Sequence, residues 1–200
     1  AFARASRRVI AIDADLRRST LGDAFGLGDR PGLTDVVLGH ASLEDVLAPV
    51  LVGPMPVDSA PVPGLPGDNG HASSPATPSL LRVITGGTRV PDPSTVIESD
   101  ALAAVLAAAK LHADVVLLDS APLLVASDTQ SVAGMVDGVI LLLRASAVDR
   151  RAMAEATRLL GMLPATKLGF VLSGAEEERP YGYGAYGAAS TAVPARQDTK

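Results

Sequence analysis

Five short apolar runs punctuate this sequence, and between them apolar residues recur at the three-to-four spacing of helices. The first run, Val9-Ile10-Ala11-Ile12, stops abruptly at Asp13-Ala14-Asp15. Similar runs occupy residues 81–84, 115–118, 139–143 and 167–172, and the one at 115–118 also stops at an aspartate, Asp119. Continuous runs of this length, bounded by polar residues, predict strands buried on both faces. The intervening segments predict helices at residues 99–112, 128–136 and 149–160, the first of them rich in Ala and Leu. Shorter helices are predicted at 19–27, carrying Leu21, Phe25 and Leu27, and at 33–38, closed by Gly39. Pro31-Gly32 reads as a turn, and Ser42-Leu43-Glu44-Asp45 has the form of a capping box. Residues 2–8 read as the end of a helix, with Arg4, Arg7 and Arg8 near the carboxyl end where cations suit the dipole.

Two segments have no period. Residues 53–79 hold seven Pro and four Gly in 27 residues, which predicts a solvated, disordered loop. It is an insertion within a domain, because a strand follows it at once. After Gly174 the chain turns acidic at Glu176, Glu177 and Glu178 and then becomes a Tyr/Gly tail. The expected organisation is one α/β domain over residues 1–175 and a flexible tail over 176–200. Strands alternating with helices predict a largely parallel sheet with flanking helices. In such sheets crossovers are right-handed and ligands gather at the carboxyl ends of the strands. Asp13, Asp15 and Asp119 lie just past strand ends, so they are expected to converge on one crevice.

Composition narrows the possibilities. At 200 residues, 48% hydrophobic and 20% charged, the chain suits one globular domain with a tail. Its longest apolar run covers only residues 101–109, whereas a membrane span needs about 20 such residues. Without cysteine there can be no disulfide, Cys-based zinc site or Cys nucleophile, and the three His are dispersed. A net charge of −5 and 3% aromatic residues offer nucleic acid neither a basic surface nor a stacking platform. No basic-then-apolar signal peptide stands at the start. The sequence opens Ala1-Phe2-Ala3-Arg4 with no initiator Met, so a fragment of a longer protein is expected.

The chemistry lies in the carboxylates. Asp13 and Asp15 project to one side if the strand conformation persists. Clustered carboxylates repel unless a cation neutralises them, and Mg²⁺ suits this role, being held by one or two carboxylates plus waters and substrate phosphates. Arg17 supplies a permanent charge suited to a phosphate or to one of these aspartates. That segment alone fits a plainer reading equally well, with Asp13 and Asp15 capping the next helix and Arg17 in a surface ion pair. The second segment tips the balance: Val115-Val116-Leu117-Leu118-Asp119-Ser120-Ala121-Pro122 has the layout of a Walker B strand, whose Asp helps hold Mg²⁺ in P-loop NTPases.

Taken with their order, these motifs resemble those of the bacterial tyrosine kinases. Residues 9–17 resemble the family's Walker A′ motif, apolar residues followed by Asp-x-Asp-x-Arg, and residues 116–122 its Walker B motif. Gly32-Leu33-Thr34-Asp35-Val36-Val37 is similar to its Gly-Leu-x-Asp-Val-Leu segment. Residues 81–97, with Pro93-Ser94, resemble its strand, Gly-containing loop and Pro-Ser stretch. Val136-Asp137-Gly138-Val139 and Arg144 match its next strand, and Tyr181, Tyr183 and Tyr186 its tyrosine cluster. The resemblance covers nearly the whole chain outside the 53–79 insertion.

The resemblance implies a P-loop NTPase architecture of the MinD/ParA type, lacking its first strand and P-loop in this chain. It implies the cytoplasmic kinase domain of a capsule or exopolysaccharide chain-length regulator, at the inner face of the membrane. Such a domain uses ATP and Mg²⁺ to phosphorylate its own C-terminal tyrosines, often in trans within a ring-shaped homo-oligomer. Its implied partner is a membrane-embedded chain-length protein or transmembrane activator, fused or separate. By the same resemblance Asp13 acts near the tyrosine hydroxyl and the metal, and Asp15 supports the metal site. Asp119 holds Mg²⁺ through water, Arg17 is a partner of the site, and Tyr181, Tyr183 and Tyr186 are the phosphoacceptors.

The sequence also departs from the family. It contains no G-x-x-x-x-G-K-[ST], whose expected place is just before Ala1, so this chain alone is expected to bind ATP poorly and catalyse little. Ser19 stands where the family often has Pro, and Ser173 where it has Asn, which removes the residue for a nucleotide-base contact. Two other readings follow from the same residues: a MinD/ParA-like partitioning ATPase, and a degenerate, non-catalytic regulatory subunit of a polysaccharide export system. Gly182-x-Gly184-x-x-Gly187 opens no helix after a strand and is no dinucleotide fingerprint. Ser120 lacks the nucleophile elbow of a hydrolase.

Overall fold

A computed structural model describes residues 2–3, 7–53, 79–125 and 127–174. Its centre is β1 (Val9–Asp13), hydrogen-bonded in parallel to β3 (Ser79–Ile84) on one side and to β4 (Val115–Asp119) on the other. β2 (Ala48–Val52) pairs antiparallel with β3, giving the order β2-β3-β1-β4. β5 (Gly138–Arg144) and β6 (Thr166–Ser173) form a second, two-stranded parallel sheet. Parallel neighbours require crossovers, and the helices supply them. The chief ones are α5 (Asp100–His112), between β3 and β4, and α7 (Arg150–Met162), between β5 and β6.

Burial explains why β1 sits in the middle. Its apolar residues have no polar face to offer water, and Ile10 and Ile12 are wholly buried. They pack with Ile84 of β3 and with Leu102 and Leu106 of α5 in one core. On α5 the buried positions Leu102, Val105, Leu106 and Ala109 follow the helical one-face spacing. Ser99 starts that helix by accepting the Leu102 amide proton. Each such Ile or Leu contributes about 1.5–3 kcal/mol by leaving water. The start of β1 is fixed to β4 by Arg8, whose amide and guanidinium both donate to Asp114, at 2.9 and 2.8 Å.

Close backbone contact joins the loop after β3 to α2 (Leu33–Val37). The amides of Leu33 and Thr34 donate to the carbonyls of Thr85 and Gly86 at 2.8 and 3.1 Å. A Cβ on Gly32 would collide with the Thr85 carbonyl, so no side chain fits there. Asp35 accepts from the Gly32 and Thr88 amides at 2.8 and 3.0 Å. Burial opposes its ionisation, but those amides outweigh burial and hold its carboxyl below the ordinary range.

The predicted elements are found with small shifts. The strands and helices lie where the apolar runs and helical spacings put them, and Ser42 caps α3 (Leu43–Val46) in a complete capping box. Two elements go beyond the expectation. β2, with Pro49 inside it, makes the sheet mixed rather than purely parallel; as an edge strand it can carry a proline. α4 (Pro93–Ile97) begins with Asp92 as cap and Pro93 at the first helical position, where proline is favoured. Two helices are shorter than expected: 128–136 is found as α6 (Asp128–Ala133), and 19–27 as a single turn over residues 21–24 that ends before Phe25 and Leu27. The expected helix end at residues 2–8, most of the 53–79 loop and the 176–200 tail fall wholly or partly outside the described residues.

β4 and β5 each keep one edge unpaired among the described residues. A cleft of about 880 Å³ lies between them, lined by Val116, Leu118, Ile140, Leu142, Leu106 and Val132 among others. Of that lining Leu142 is 73% exposed, and on β6 Phe170 is 70% exposed. Among the described residues no helix is long and apolar enough to cross a membrane.

Candidate functional site

The site is set by the register of β1 on β4. Val9 pairs with Val115, and the ladder runs in step to Asp13 opposite Asp119. The Ala14 amide donates to the Asp119 carbonyl at 2.7 Å, which carries the pairing one step past the strand end. Residues at one register of adjacent parallel strands share a face, with strands about 4.8 Å apart. Two aspartates distant in sequence are thus brought together at the carboxyl edge of the sheet, with Asp15 beside them.

The three carboxylates live in different surroundings. Asp13 is fully buried. Its Oδ2 accepts from Ser19 Oγ at 2.7 Å, from the Leu21 amide at 2.9 Å and from the Thr20 amide at 3.1 Å. Its Oδ1 accepts from the Asp15 amide at 3.2 Å. Asp13 therefore satisfies two of the amides at the start of α1 (Leu21–Ala24), the Thr20 and Leu21 N–H groups, as a helix cap would. Asp15 is half-buried and accepts from the Arg18 amide at 3.0 Å. Asp119 is exposed at the rim of the β4–β5 cleft, and among the described residues its carboxylate has no hydrogen-bond donor. Partial burial of the carboxyl, then the negative charges of Asp13 and Asp15, push Asp119 above the ordinary carboxylate range.

Arg17 does not reach these three. Its Nε donates to Asp128 Oδ2 at 2.7 Å and its Nη2 to Asp128 Oδ1 at 3.1 Å, a two-point fork. Nη2 also donates to Ser94 Oγ at 3.0 Å, and Ser94 Oγ donates to Asp128 Oδ1 at 3.1 Å. Asp128 is buried, and its hydrogen bonds from Arg17 hold its carboxyl below the ordinary range in spite of that burial. Ser94 lies in the Pro93-Ser94 stretch named with the motifs, whereas Asp128 is singled out by none of them. The available signal was chemical: a buried charge requires a partner, and Arg17 needs one of opposite sign.

The donor set suits a divalent cation bound with phosphates. Asp119 lacks a protein donor and is repelled by two like charges, a repulsion that a cation relieves. Asp13 has its oxygens engaged by its own loop and has least room for a ligand. Among the described residues no group of three or more His, Asp or Glu could hold a metal unaided. Mg²⁺ fits such a site, because it keeps several waters and takes substrate phosphates as ligands. Tyr181, Tyr183 and Tyr186 lie outside the described residues.

No protein-family model matches the chain. Tyrosine-protein kinase YwqD of Bacillus subtilis (strain 168) is 26% identical over 186 residues, which cover 93% of this chain and 68% of that protein. Tyrosine-protein kinase CpsD of Streptococcus agalactiae is 25% identical over 189 residues, covering 93% of this chain and 71% of CpsD. Tyrosine-protein kinase ptk of Acinetobacter johnsonii is 30% identical over 127 residues, covering 64% of this chain and 14% of a much longer protein. Among solved structures, the kinase domain of Escherichia coli tyrosine kinase ETK superposes with a TM-score of 0.68 at 24% identity, covering 93% of this chain and 62% of that one. The BceF tyrosine kinase domain gives 0.62 at 27% identity, covering 86% and 58%. MinD of Pyrococcus horikoshii OT3, solved with Mg-ADP, gives 0.54 at 20%, covering 88% and 63%, and shares the fold. The chain therefore spans about two thirds of YwqD and somewhat less of the ETK and BceF kinase domains. The resemblance read from the motifs holds, and the α/β fold is that of the P-loop NTPases.

Proposed function

We propose that this chain, a relative of the bacterial tyrosine-protein kinases, is part of an ATP-dependent protein tyrosine autokinase that regulates capsule or exopolysaccharide biosynthesis and export. The observation that carries the proposal is the in-register pair of Asp13 and Asp119 with Asp15 beside it, at the edge of the sheet where such folds bind ligands. Bound there, Mg²⁺ with the nucleotide phosphates would neutralise charge on the transferring group, which is most of what phosphoryl transfer needs. Asp119 and Asp15 are the carboxylates open to that cation. Asp13 takes a positioning part: buried and engaged by four donors, it fixes the loop that presents Asp15. Direct contact with the acceptor hydroxyl, which the resemblance implies for Asp13, would require that loop to open. The acceptors are Tyr181, Tyr183 and Tyr186 of a neighbouring copy in a homo-oligomer, and the wider partner is a membrane-embedded chain-length protein at the inner face of the membrane.

The test is phosphotyrosine formation by the full-length protein with ATP and Mg²⁺, compared with Asp119→Ala. Loss of signal in the variant is expected, and an undiminished signal would overturn the reading. The MinD likeness supports a second reading, an ATPase without tyrosine transfer. ATP hydrolysis with no phosphotyrosine would favour it, and activity in neither assay would favour a non-catalytic regulatory subunit.

A further inference from the structure

We infer that Asp128 is a positioning residue of this site: through Arg17 and Ser94 it locks the loop bearing Asp13 and Asp15 to the segment that follows Asp119. The inference rests on the kinase reading only for its effect on catalysis; the lock itself is a property of the chain.

Three segments meet at this carboxylate. Arg17 belongs to the turn after β1, Ser94 to the first turn of α4 after β3, and Asp128 to the first residue of α6 after β4. These strands are neighbours in the order β3-β1-β4, so the cluster ties together the carboxyl ends of three adjacent strands. The contacts are closed on themselves: Arg17 donates to both oxygens of Asp128, and Ser94 accepts from Arg17 while donating to Asp128. Thr129, the next residue, donates its hydroxyl to the Ala121 carbonyl at 2.6 Å. That bond joins α6 to the stretch two residues beyond Asp119.

The burial is asymmetric. The Asp128 side chain is 5% exposed and that of Arg17 46%. Asp128 is thus the anchor, and Arg17 is the arm that reaches from it to the Asp13–Asp15 loop. A guanidinium fork fixes direction as well as distance, which a single point charge cannot do. Asp15 stands two positions before Arg17 in the same turn, so its place relative to Asp119 depends on where that fork is held. Errors of about 1 Å in a phosphoryl-transfer site can cost on the order of 100-fold in rate.

The test uses full-length protein and four variants: Asp128→Asn, Arg17→Gln, the double variant, and Ser94→Ala. The first readout needs no nucleotide. Hydrogen–deuterium exchange should quicken in peptides covering residues 13–21 and 119–133 in Asp128→Asn and in Arg17→Gln alike, with little change in the core helix α5. The second readout is the autophosphorylation rate at saturating Mg-ATP. Each single variant should fall roughly 10- to 100-fold, and the double variant should fall no further than the worse single. Unchanged exchange at residues 13–21 in Asp128→Asn, or rate losses that multiply in the double variant, would overturn the inference. Should Asp128→Asn fail to fold, Ser94→Ala decides by the same exchange peptides. If the wild type forms no phosphotyrosine, the kinase reading fails while the exchange result still judges the lock.

Discussion

Asp13 and Asp119 stand opposite each other at the last shared register of two adjacent parallel strands, one carboxylate engaged by four donors and the other, among the described residues, by none. The asymmetry assigns different work to two chemically identical groups. The first organises its loop. The second is left, at the mouth of a cleft, with a charge that no donor among the described residues compensates.

That charge should be measurable as a pH-dependent cost. Asp119 has its affinity for a proton raised in the folded state, so folded protein holds the proton more tightly than unfolded protein does. Stability is therefore lost as pH rises from the ordinary Asp value of about 3.9 through the raised folded value. Asp119→Asn escapes this loss. Thermal unfolding should show the variant more stable than wild type at pH 7, within about 1 kcal/mol because solvent screens the group. The two should converge below about pH 3.9, where neither carries the charge. A wild type more stable at pH 7 would contradict this reading.

The opposite sign is expected at Asp35. Its carboxyl is held low by the Gly32 and Thr88 amides, so its contribution is present above the ordinary Asp value and is lost as pH falls through the lower folded value. Asp35→Asn should destabilise by about 1–3 kcal/mol at neutral pH, with the gap closing in acid. Gly32→Ala should be worse at every pH, because its Cβ meets the rigid Thr85 carbonyl. Denaturant titrations at pH 7 and in acid separate the two.

Both aspartates at strand ends were legible in the sequence, since Val9-Ile10-Ala11-Ile12 and Val115-Val116-Leu117-Leu118 read as strands and each stops at a carboxylate; the expected burial on both faces is found for β1 but not for β4, whose Leu117 is exposed. The register that pairs Asp13 with Asp119 then follows from a one-in-line match of the two runs. β2 was not legible: Pro49 interrupts a half-exposed strand that borders a proline-rich stretch, and its signal is lost there. The Arg17–Asp128 fork was not legible either. Nothing in local spacing links a turn after β1 to a helix start after β4, and only the sheet order brings them together.

The β5–β6 sheet makes a prediction about surface. Its strands are apolar along both faces, a pattern that belongs to sheets covered on both sides, yet Leu142, Leu168 and Phe170 are exposed to 73%, 64% and 70%. Exposed apolar patches with an unpaired strand edge promote association. A polypeptide of these 200 residues should bind a hydrophobic dye and self-associate on size-exclusion chromatography. Leu142→Glu with Phe170→Lys should reduce both signals. Monomeric, dye-silent behaviour of the unsubstituted polypeptide would show that these residues are covered.

Ser19 offers the sharpest check on the role given to Asp13. In this sequence a side-chain donor stands at this point of the motif. Its hydroxyl donates to Asp13 Oδ2 at 2.7 Å, and that oxygen also receives the Thr20 and Leu21 amides. Hydrogen bonds to a charged group contribute about 1.5–3 kcal/mol, and the amides left behind make up part of any loss. Ser19→Ala should therefore lower stability by about 1–2 kcal/mol. Space is not the issue, because alanine is smaller and the Ser19 side chain already packs against Gly86. If Asp13 works by holding its loop, Ser19→Ala should also speed amide exchange at Thr20 and Leu21, and restoring a hydroxyl with Ser19→Thr should slow it again. A variant with unchanged melting and unchanged exchange would mean that the amides alone hold the Asp13 carboxylate, and that the serine adds nothing to the loop.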